Sequence, residues 1–544
     1  MGDSDMGVTA IWPKASAVDE HGELTFHGHT ASSLTRRFGS PLYLMDVDEV
    51  RSRARRFVGL ASESFRHTTT HVSFAAKAFM STEVLRLVYQ AGMFVDTCTL
   101  GEMRIALAAG VPGRRLVLHG NNKSDEEIEL AIREGFAKIV VDAPDEPARI
   151  AAIARRLGMT ARVMLRVTVG IHAGGHEYIS TAHEDQKFGV ALLDVDADPA
   201  TIDIVDRLSG FQPESAAGQP GHAEKDGRVE HPDSPRHGQS GHRERDRELR
   251  YDVKYPYDLD ASALDDSEKI LLDAMTAVAK GPALAVLKTI LGFRDELELV
   301  GIHSHIGSQI HDAMAFIEAA KRMMLLRKTL YATDAYLLPE VDLGGGFSVA
   351  YTDAETSMNV ERELGRLADV VSNANHALGL PEPNISFEPG RWIVAPAGVT
   401  LYTVGTLKHV AMPHGTVDSS GGAIAERVYV SVDGGMSDNI RPALYDADYT
   451  VRLANRRGEA PTMLARVVGM HCESGDILVR ECRLPKDVRR GDILAMPVTG
   501  AYGRTMASNY NQALIPAVVS VGERDAHVMI RRQRVEDLLA LDCG

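Results

Sequence analysis

The stretch His71-Val72-Ser73-Phe74-Ala75-Ala76-Lys77-Ala78-Phe79 alternates with the period of a β-strand. Val72, Phe74 and Ala76 fall on one face, and Ala75 and Lys77 on the other. Lys77 comes near the C-terminal end of the run. An ammonium group is costly to bury on an apolar strand, and a lysine amine that has lost its proton attacks aldehydes. The same pattern suits a lysine that snorkels from a strand end to water. The rest of the chain decides between the two.

A repeating unit of strand and amphipathic helix is set around this stretch. The strand candidates are Val72–Lys77, Met93–Thr97, Leu116–His119, Lys138–Asp142, Val163–Val169, Leu299–Ile306, Glu340–Leu343 and Asn384–Glu388. Helical patterns such as Glu83–Gln90, Gly101–Ala109, Asp125–Glu134 and Pro147–Leu157 lie between them. Ser124 and Glu127 form a capping-box pattern ahead of the third helix. Eight such units in series predict an α/β fold, a (β/α)8 TIM barrel over about 48–396. Its chemistry is expected where strands end and loops begin. Those ends carry Lys77, Asp96, His119-Gly120-Asn121-Asn122, His303, His305, Gly344-Gly345-Gly346 and Glu388-Pro389-Gly390-Arg391.

After Arg391 the helices stop, and short β-type runs follow at Thr400–Thr406, Val428–Val432, Tyr449–Leu453, Leu464–Val468, Ile477–Val479, Ala517–Val521 and Val528–Arg531. They predict a C-terminal all-β domain over 397–544, completed by an N-terminal strand at Pro41–Met45 within 1–47. From about Gly210 to Arg250 the chain is rich in Gly, Pro, Ser, His and charge. This reads as a disordered insertion, spanning about 196–265, between the fifth and sixth strands. The spacing of His222, His231, His237 and His242 is irregular, which argues against a metal tract.

The net charge of −16 over 544 residues argues against nucleic-acid and acidic-membrane partners. No apolar run reaches the length of a membrane span. The start, Met1-Gly2-Asp3-Ser4-Asp5-Met6, lacks the basic-then-apolar form of a signal peptide. Cys98, Cys472, Cys482 and Cys543 are scattered, which suits a reducing, cytoplasmic location and leaves no zinc ribbon.

A pyridoxal phosphate (PLP) site needs a lysine for the aldehyde and an acid facing the pyridine nitrogen. It also needs backbone N–H groups around the phosphate and a flat side chain against the ring. Lys77, Glu388, the glycines at 344–346 and 390, His305 and Ser308 can supply these parts. Each has a plainer reading: Glu388 as a buried partner of Arg391, the glycines as a sharp turn, His305 as a satisfied core residue.

The motifs together resemble the fold-type III PLP-dependent decarboxylases, with their alanine racemase-like barrel. They run from Phe74-Ala75-Ala76-Lys77-Ala78 through His119-Gly120-Asn121-Asn122-Lys123, Lys187-Phe188-Gly189, His303-Ser304-His305-Ile306-Gly307-Ser308-Gln309, Asp342-Leu343-Gly344-Gly345-Gly346 and Glu388-Pro389-Gly390-Arg391. Asp433-Gly434-Gly435-Met436, Cys472-Glu473-Ser474-Gly475-Asp476 and Gly500-Ala501-Tyr502-Gly503 complete them. The resemblance implies that Lys77 holds PLP, Glu388 pairs with the pyridine nitrogen and His305 stacks on the ring. It implies that Ser308, Gly346, Gly390 and Tyr502 contact the phosphate, that Asp96 orients groups near Lys77, and that Cys472 returns the proton. Ala78-Phe79 departs from the alanine-asparagine that follows this lysine in many relatives, and the insertion is atypical.

At the substrate end, Arg391, Arg441 and Tyr445 match the family's carboxylate-binding positions and Glu473 its ammonium-binding one. The implied reaction is decarboxylation of meso-2,6-diaminopimelate to L-lysine and CO2, in a homodimer whose Cys472–Glu473 segment enters the partner's site. The rivals are an ornithine or arginine decarboxylase, an amino-acid racemase and a non-catalytic PLP carrier. Arg441 and Tyr445 speak against the first, Cys472-Glu473 against the second and the β-domain against the third.

Overall fold

Strand Thr70–Ala75 is one of eight parallel strands that close on themselves. The computed structural model describes residues 8–171, 186–203, 265–459 and 461–544. Around the ring, Thr70–Ala75 is followed by Phe94–Thr97, Leu116–Leu118, Lys138–Val141, Ala161–Thr168, Leu297–His303, Glu340–Asp342 and Asn384–Phe387. The last pairs back onto the first through Phe387 and Val72, and Lys138–Val141 pairs with Ala161–Thr168. Strands in such a ring are covered on both faces, which explains runs such as Val163-Met164-Leu165 with no polar alternation.

Helices cover the ring. Ser81, Thr99 and Ser124 cap three of them by accepting from the backbone N–H three residues on. The Ser124–Glu127 capping box is present in both directions. Helix Val47–Ser64 precedes the first barrel strand and closes the ring from outside. Its Phe57 packs edge-on against Phe347 and Trp392 at 4.9 and 5.5 Å.

The N-terminal strand, Leu42–Asp46, joins the second unit. It pairs antiparallel with Gly398–Ala411 and parallel with Ala517–Val521, so it sits between strands far later in the chain. The expected β-runs after 397 are present as strands, with shifted ends. Strand Ile493–Pro497, which pairs with Gly398–Ala411, went unmarked because its five residues are all buried and show no alternation. A small three-stranded sheet over 16–30 was likewise unmarked.

One expectation at the opening stretch is corrected. The strand ends at Ala75, and Ala76–Ala78 form a single 3-10 turn. Pairing with Phe94–Thr97 stops at Ala75 opposite Asp96, so the chain beyond has no ladder to follow. The Lys77 side chain is exposed rather than buried on a strand face. The insertion expected at 196–265, its four histidines included, lies outside the described residues except at 196–203 and 265. No single described helix is long and apolar enough to cross a membrane. The pair Asp266–Lys280 and Pro282–Gly292 reaches that length only jointly, across a 67° bend.

Candidate active site

The strand ends surround a cavity of about 750 Å³. Of the expected site residues, Lys77, Asp96, His305, Ser308, Gly346, Glu388, Gly390, Arg391, Arg441, Tyr445 and Tyr502 all line it. They come from barrel loops and from the β-rich unit alike. Tyr502 is tied to the lysine turn by its backbone N–H, which donates to Ala78 O at 2.8 Å.

On one side of the cavity stands a cluster centred on Glu388. Its Oε1 lies 3.2 Å from Nε2 of both His119 and His303. Asp96 Oδ1 stands 3.6 Å from the same His119 nitrogen. Burial disfavours the charge on Glu388, but His303 and His119 outweigh it and hold the carboxyl well below its usual range. Burial, then the charge of Glu388, raises Asp96. His119, facing both carboxylates, is raised to about 10 against the effect of burial. His303 meets only Glu388 and is lowered by burial to about 4. Glu388 therefore faces two imidazoles, not Arg391.

His305 accepts from the Gly345 N–H through Nδ1 at 3.2 Å, which fixes its ring plane. Burial, then the charges of Lys77 and Arg166, holds it well below its ordinary value, so it is a neutral flat ring. Nearby, the backbone demands glycine. Gly346 has φ +125°, and a Cβ there would stand 2.6 Å from Gly307 O. A Cβ on Gly390 would stand 2.9 Å from Ala75 O. Ser308 Oγ accepts from Arg391 Nη2 at 2.9 Å.

At the far end, Arg391 and Arg441 are 8% and 5% exposed. Neither has a carboxylate within ion-pair distance among the described residues. Arg441 is not the partner of Asp438, which accepts from Tyr402, or of Asp446, which pairs with Arg480. A buried guanidinium without a counter-ion calls for an anion from outside the chain.

Two expected residues are not brought into the cavity. Cys472 and Glu473 are exposed at the turn between strands Thr462–Val468 and Ile477–Pro485. Asp476 closes that turn by accepting from Met436 N and His471 N at 2.6 and 2.8 Å. Other residues of the cavity had no role in the sequence reading. His119, His303, Arg166 and Tyr351 line it. The two histidines stood in the quoted motifs, and His303 shares strand parity with His305. Cys98 also lines it, its thiol pushed up to about 12 by burial and then Glu102.

These residues fit PLP. Both Asp96 carboxylate oxygens, Glu388 Oε1 and the Nε2 atoms of His119 and His303 are buried and, close as some of them stand, make no well-aligned hydrogen bond among the described residues. Glu388 Oε1 can accept from a protonated ring nitrogen. The glycine-walled end suits a phosphate, the neutral His305 ring suits a face, and Lys77 presents an amine.

Residues 48–204 and 283–395 match the family described as pyridoxal-dependent decarboxylase, pyridoxal binding domain. A diaminopimelate decarboxylase of Mycobacterium tuberculosis is 36% identical over 536 residues, covering 98% of this chain and 97% of that one. The chain belongs to the diaminopimelate decarboxylases. The Bacillus subtilis diaminopimelate decarboxylase is 32% identical, with 97% of each chain covered. Among solved structures, the diaminopimelate decarboxylase of M. jannaschi aligns with a TM-score of 0.72 at 25% identity, covering 97% of this chain and 98% of that one. The Helicobacter pylori diaminopimelate decarboxylase, complexed with L-lysine, aligns at 0.65 and 26%, covering 94% and 98%. The cofactor of this diaminopimelate decarboxylase chain is PLP.

Proposed function

We infer that the protein is a carboxy-lyase that converts meso-2,6-diaminopimelate to L-lysine and CO2, the last step of lysine biosynthesis. The observation that carries this reading is the pair of buried guanidiniums, Arg391 and Arg441, with no carboxylate within ion-pair distance among the described residues. Diaminopimelate brings a second carboxylate to meet them, and ornithine does not. A buried charge left unmet penalises the wrong substrate.

When bound, PLP supplies the electron sink for the pair left behind as CO2 departs. Lys77 would hold it, and Glu388, kept ionised by its two histidines, would keep a proton at the ring nitrogen. His305 would cover one ring face. Ser308, Gly346, Gly390 and Tyr502 would hold the phosphate, with Asp96 orienting groups near Lys77. Arg391, Arg441 and Tyr445 would bind the far carboxylate, and Glu473 the far ammonium. Cys472 Sγ would deliver a proton to the carbon that lost CO2.

Cys472 and Glu473 lie outside the cavity of their own chain. The exposure of their turn supports a homodimer in which each copy lends this turn to the other's site. The same reading divides the chain into a cofactor-binding barrel over 48–396 and a β-domain of 1–47 and 397–544. Four free cysteines and a net charge of −16 support a cytoplasmic enzyme without nucleic-acid or membrane partners.

The test is CO2 release by the PLP-loaded enzyme from meso-diaminopimelate and from ornithine. Turnover of the first and not the second is expected. The opposite preference would transfer the chain to the ornithine reading.

A further inference from the structure

Arg391 and Arg441 do not reach the cavity as free, flexible side chains. Both converge on one aromatic residue, Tyr351. Arg391 donates through Nη1 to the Tyr351 hydroxyl and through Nη2 to Ser308 Oγ. Arg441 lies over the face of the same tyrosine, 4.3 Å from its ring centroid. From its other side, Arg441 Nη1 donates to the Tyr449 hydroxyl at 2.6 Å. The two tyrosine rings meet edge to face, 5.3 Å apart at 80°. The five side chains form one contiguous column that crosses from the barrel into the β-rich unit.

Both tyrosines are buried, at 3% and 4% exposure. Tyr351 lines the cavity, whereas Tyr449 does not and stands behind Arg441 and Tyr351. Burial raises the Tyr449 phenol above its ordinary value, so it stays neutral at physiological pH.

The chemical type of these partners matters. A carboxylate would hold an arginine equally still, but it would also neutralise it and compete with an incoming anion. A phenol oxygen and a ring face fix the guanidinium planes and leave the positive charge intact. An arginine otherwise loses rotamer entropy when it is ordered. The column imposes that order before substrate arrives.

We propose that Tyr351 and Tyr449 are positioning residues for substrate choice, pre-setting Arg391 and Arg441 to grip the carboxylate at the end of the substrate far from the reacting carbon. The proposal rests on the diaminopimelate reading above. It assigns the tyrosines to recognition of that head group and not to the decarboxylation step.

The test uses PLP-loaded enzyme and the near-isosteric variants Tyr449→Phe and Tyr351→Phe. Two ligands that do not turn over separate the effects. L-lysine keeps a complete amino-acid head group at one end. 1,5-Diaminopentane has the same chain without that carboxylate. Binding is measured by calorimetry, alongside KM and kcat for meso-diaminopimelate and the absorbance of the bound cofactor. A hydrogen bond to a charged group is worth about 1.5–3 kcal/mol, or about 10- to 140-fold in affinity. Tyr449→Phe should therefore weaken L-lysine and raise KM by about 10-fold or more, with kcat within about 3-fold. Diaminopentane binding and cofactor absorbance should not change. Tyr351→Phe keeps the ring under Arg441 and removes only the acceptor of Arg391 Nη1, leaving that of Nη2 on Ser308. It should shift L-lysine in the same direction with diaminopentane unmoved.

Equal weakening of both ligands, or a fall in kcat at constant KM, would overturn the proposal. Should one variant fail to bind cofactor, the other still decides. If wild-type enzyme fails to distinguish the two ligands, the diaminopimelate reading itself fails. If wild type distinguishes them and the variants do so equally well, only the positioning role is lost.

Discussion

Nε2 of His119, at the end of the third barrel strand, lies 3.2 Å from Oε1 of Glu388 at the end of the eighth. The contact bridges the barrel mouth and makes His119 the charged member of a pair of imidazoles that share one carboxylate oxygen. It has a consequence for stability. A histidine raised in the folded state stabilises the fold fully below its unfolded value near 6.5. That contribution is lost as pH rises through the folded value of about 10. Glu388 is depressed, so its contribution is present above the unfolded value near 4.3 and is lost as pH falls through the folded one. Cofactor-free protein should therefore lose stability between about pH 6.5 and pH 10. His119→Gln should start less stable and show a flatter decline over that range. Urea unfolding midpoints across the range check this; parallel slopes would mean that His119 is not charged in the fold.

Lys77 lines the cavity and stands on a single 3-10 turn. Reduction of the PLP-loaded protein with borohydride should fix the cofactor on the peptide that carries Lys77. Lys77→Ala should show neither the mass shift nor measurable CO2 release. A cofactor attached to a different lysine would end the case for this residue.

The exposed Cys472 should matter to turnover and not to cofactor binding. Cys472→Ala should keep the bound chromophore and lose most activity. If sites are shared between copies, Cys472→Ala mixed with Lys77→Ala should regain activity. Random pairing places one intact site in each mixed dimer, so roughly a quarter of the wild-type rate should return. No recovery after verified subunit exchange would place both residues in sites built from a single chain.

Two glycines offer a contrast within one chain. Gly346 has φ +125° and a carbonyl 2.6 Å from where a Cβ would stand. Gly346→Ala should cost about 1–3 kcal/mol in backbone strain. It should weaken PLP binding measured by fluorescence titration. Gly365, within helix Val360–Ala377, has open space around its missing Cβ. Gly365→Ala should raise unfolding stability by up to about 1 kcal/mol and leave PLP affinity unchanged.

Much of the barrel was legible because its signals are short. The capping box of Ser124 and Glu127 spans four residues, and a buried strand such as Val163–Leu165 announces itself by composition. The same locality hid other parts. Ile493–Pro497 carries no alternation, so nothing in its five residues separates a buried strand from a piece of core helix. Lys77 was readable as a candidate amine at a strand end but not as part of a 3-10 turn. The strand's pairing with its neighbour stops at Ala75 opposite Asp96, and that neighbour lies outside the local pattern.

The sequence by itself determined the order of strands and helices and the set of polar groups at the strand ends, Lys77 among them, since each of these depends on residues a few positions apart. The tertiary structure alone decided that Glu388 faces two histidines and not Arg391, that two tyrosines hold the arginines, and that Cys472 lies outside the cavity of its own chain. Those outcomes depend on Coulomb and hydrogen-bond distances between residues up to hundreds of positions apart. Barrel closure and the return of the β-rich strands onto it set those distances, and no periodicity along the chain encodes them.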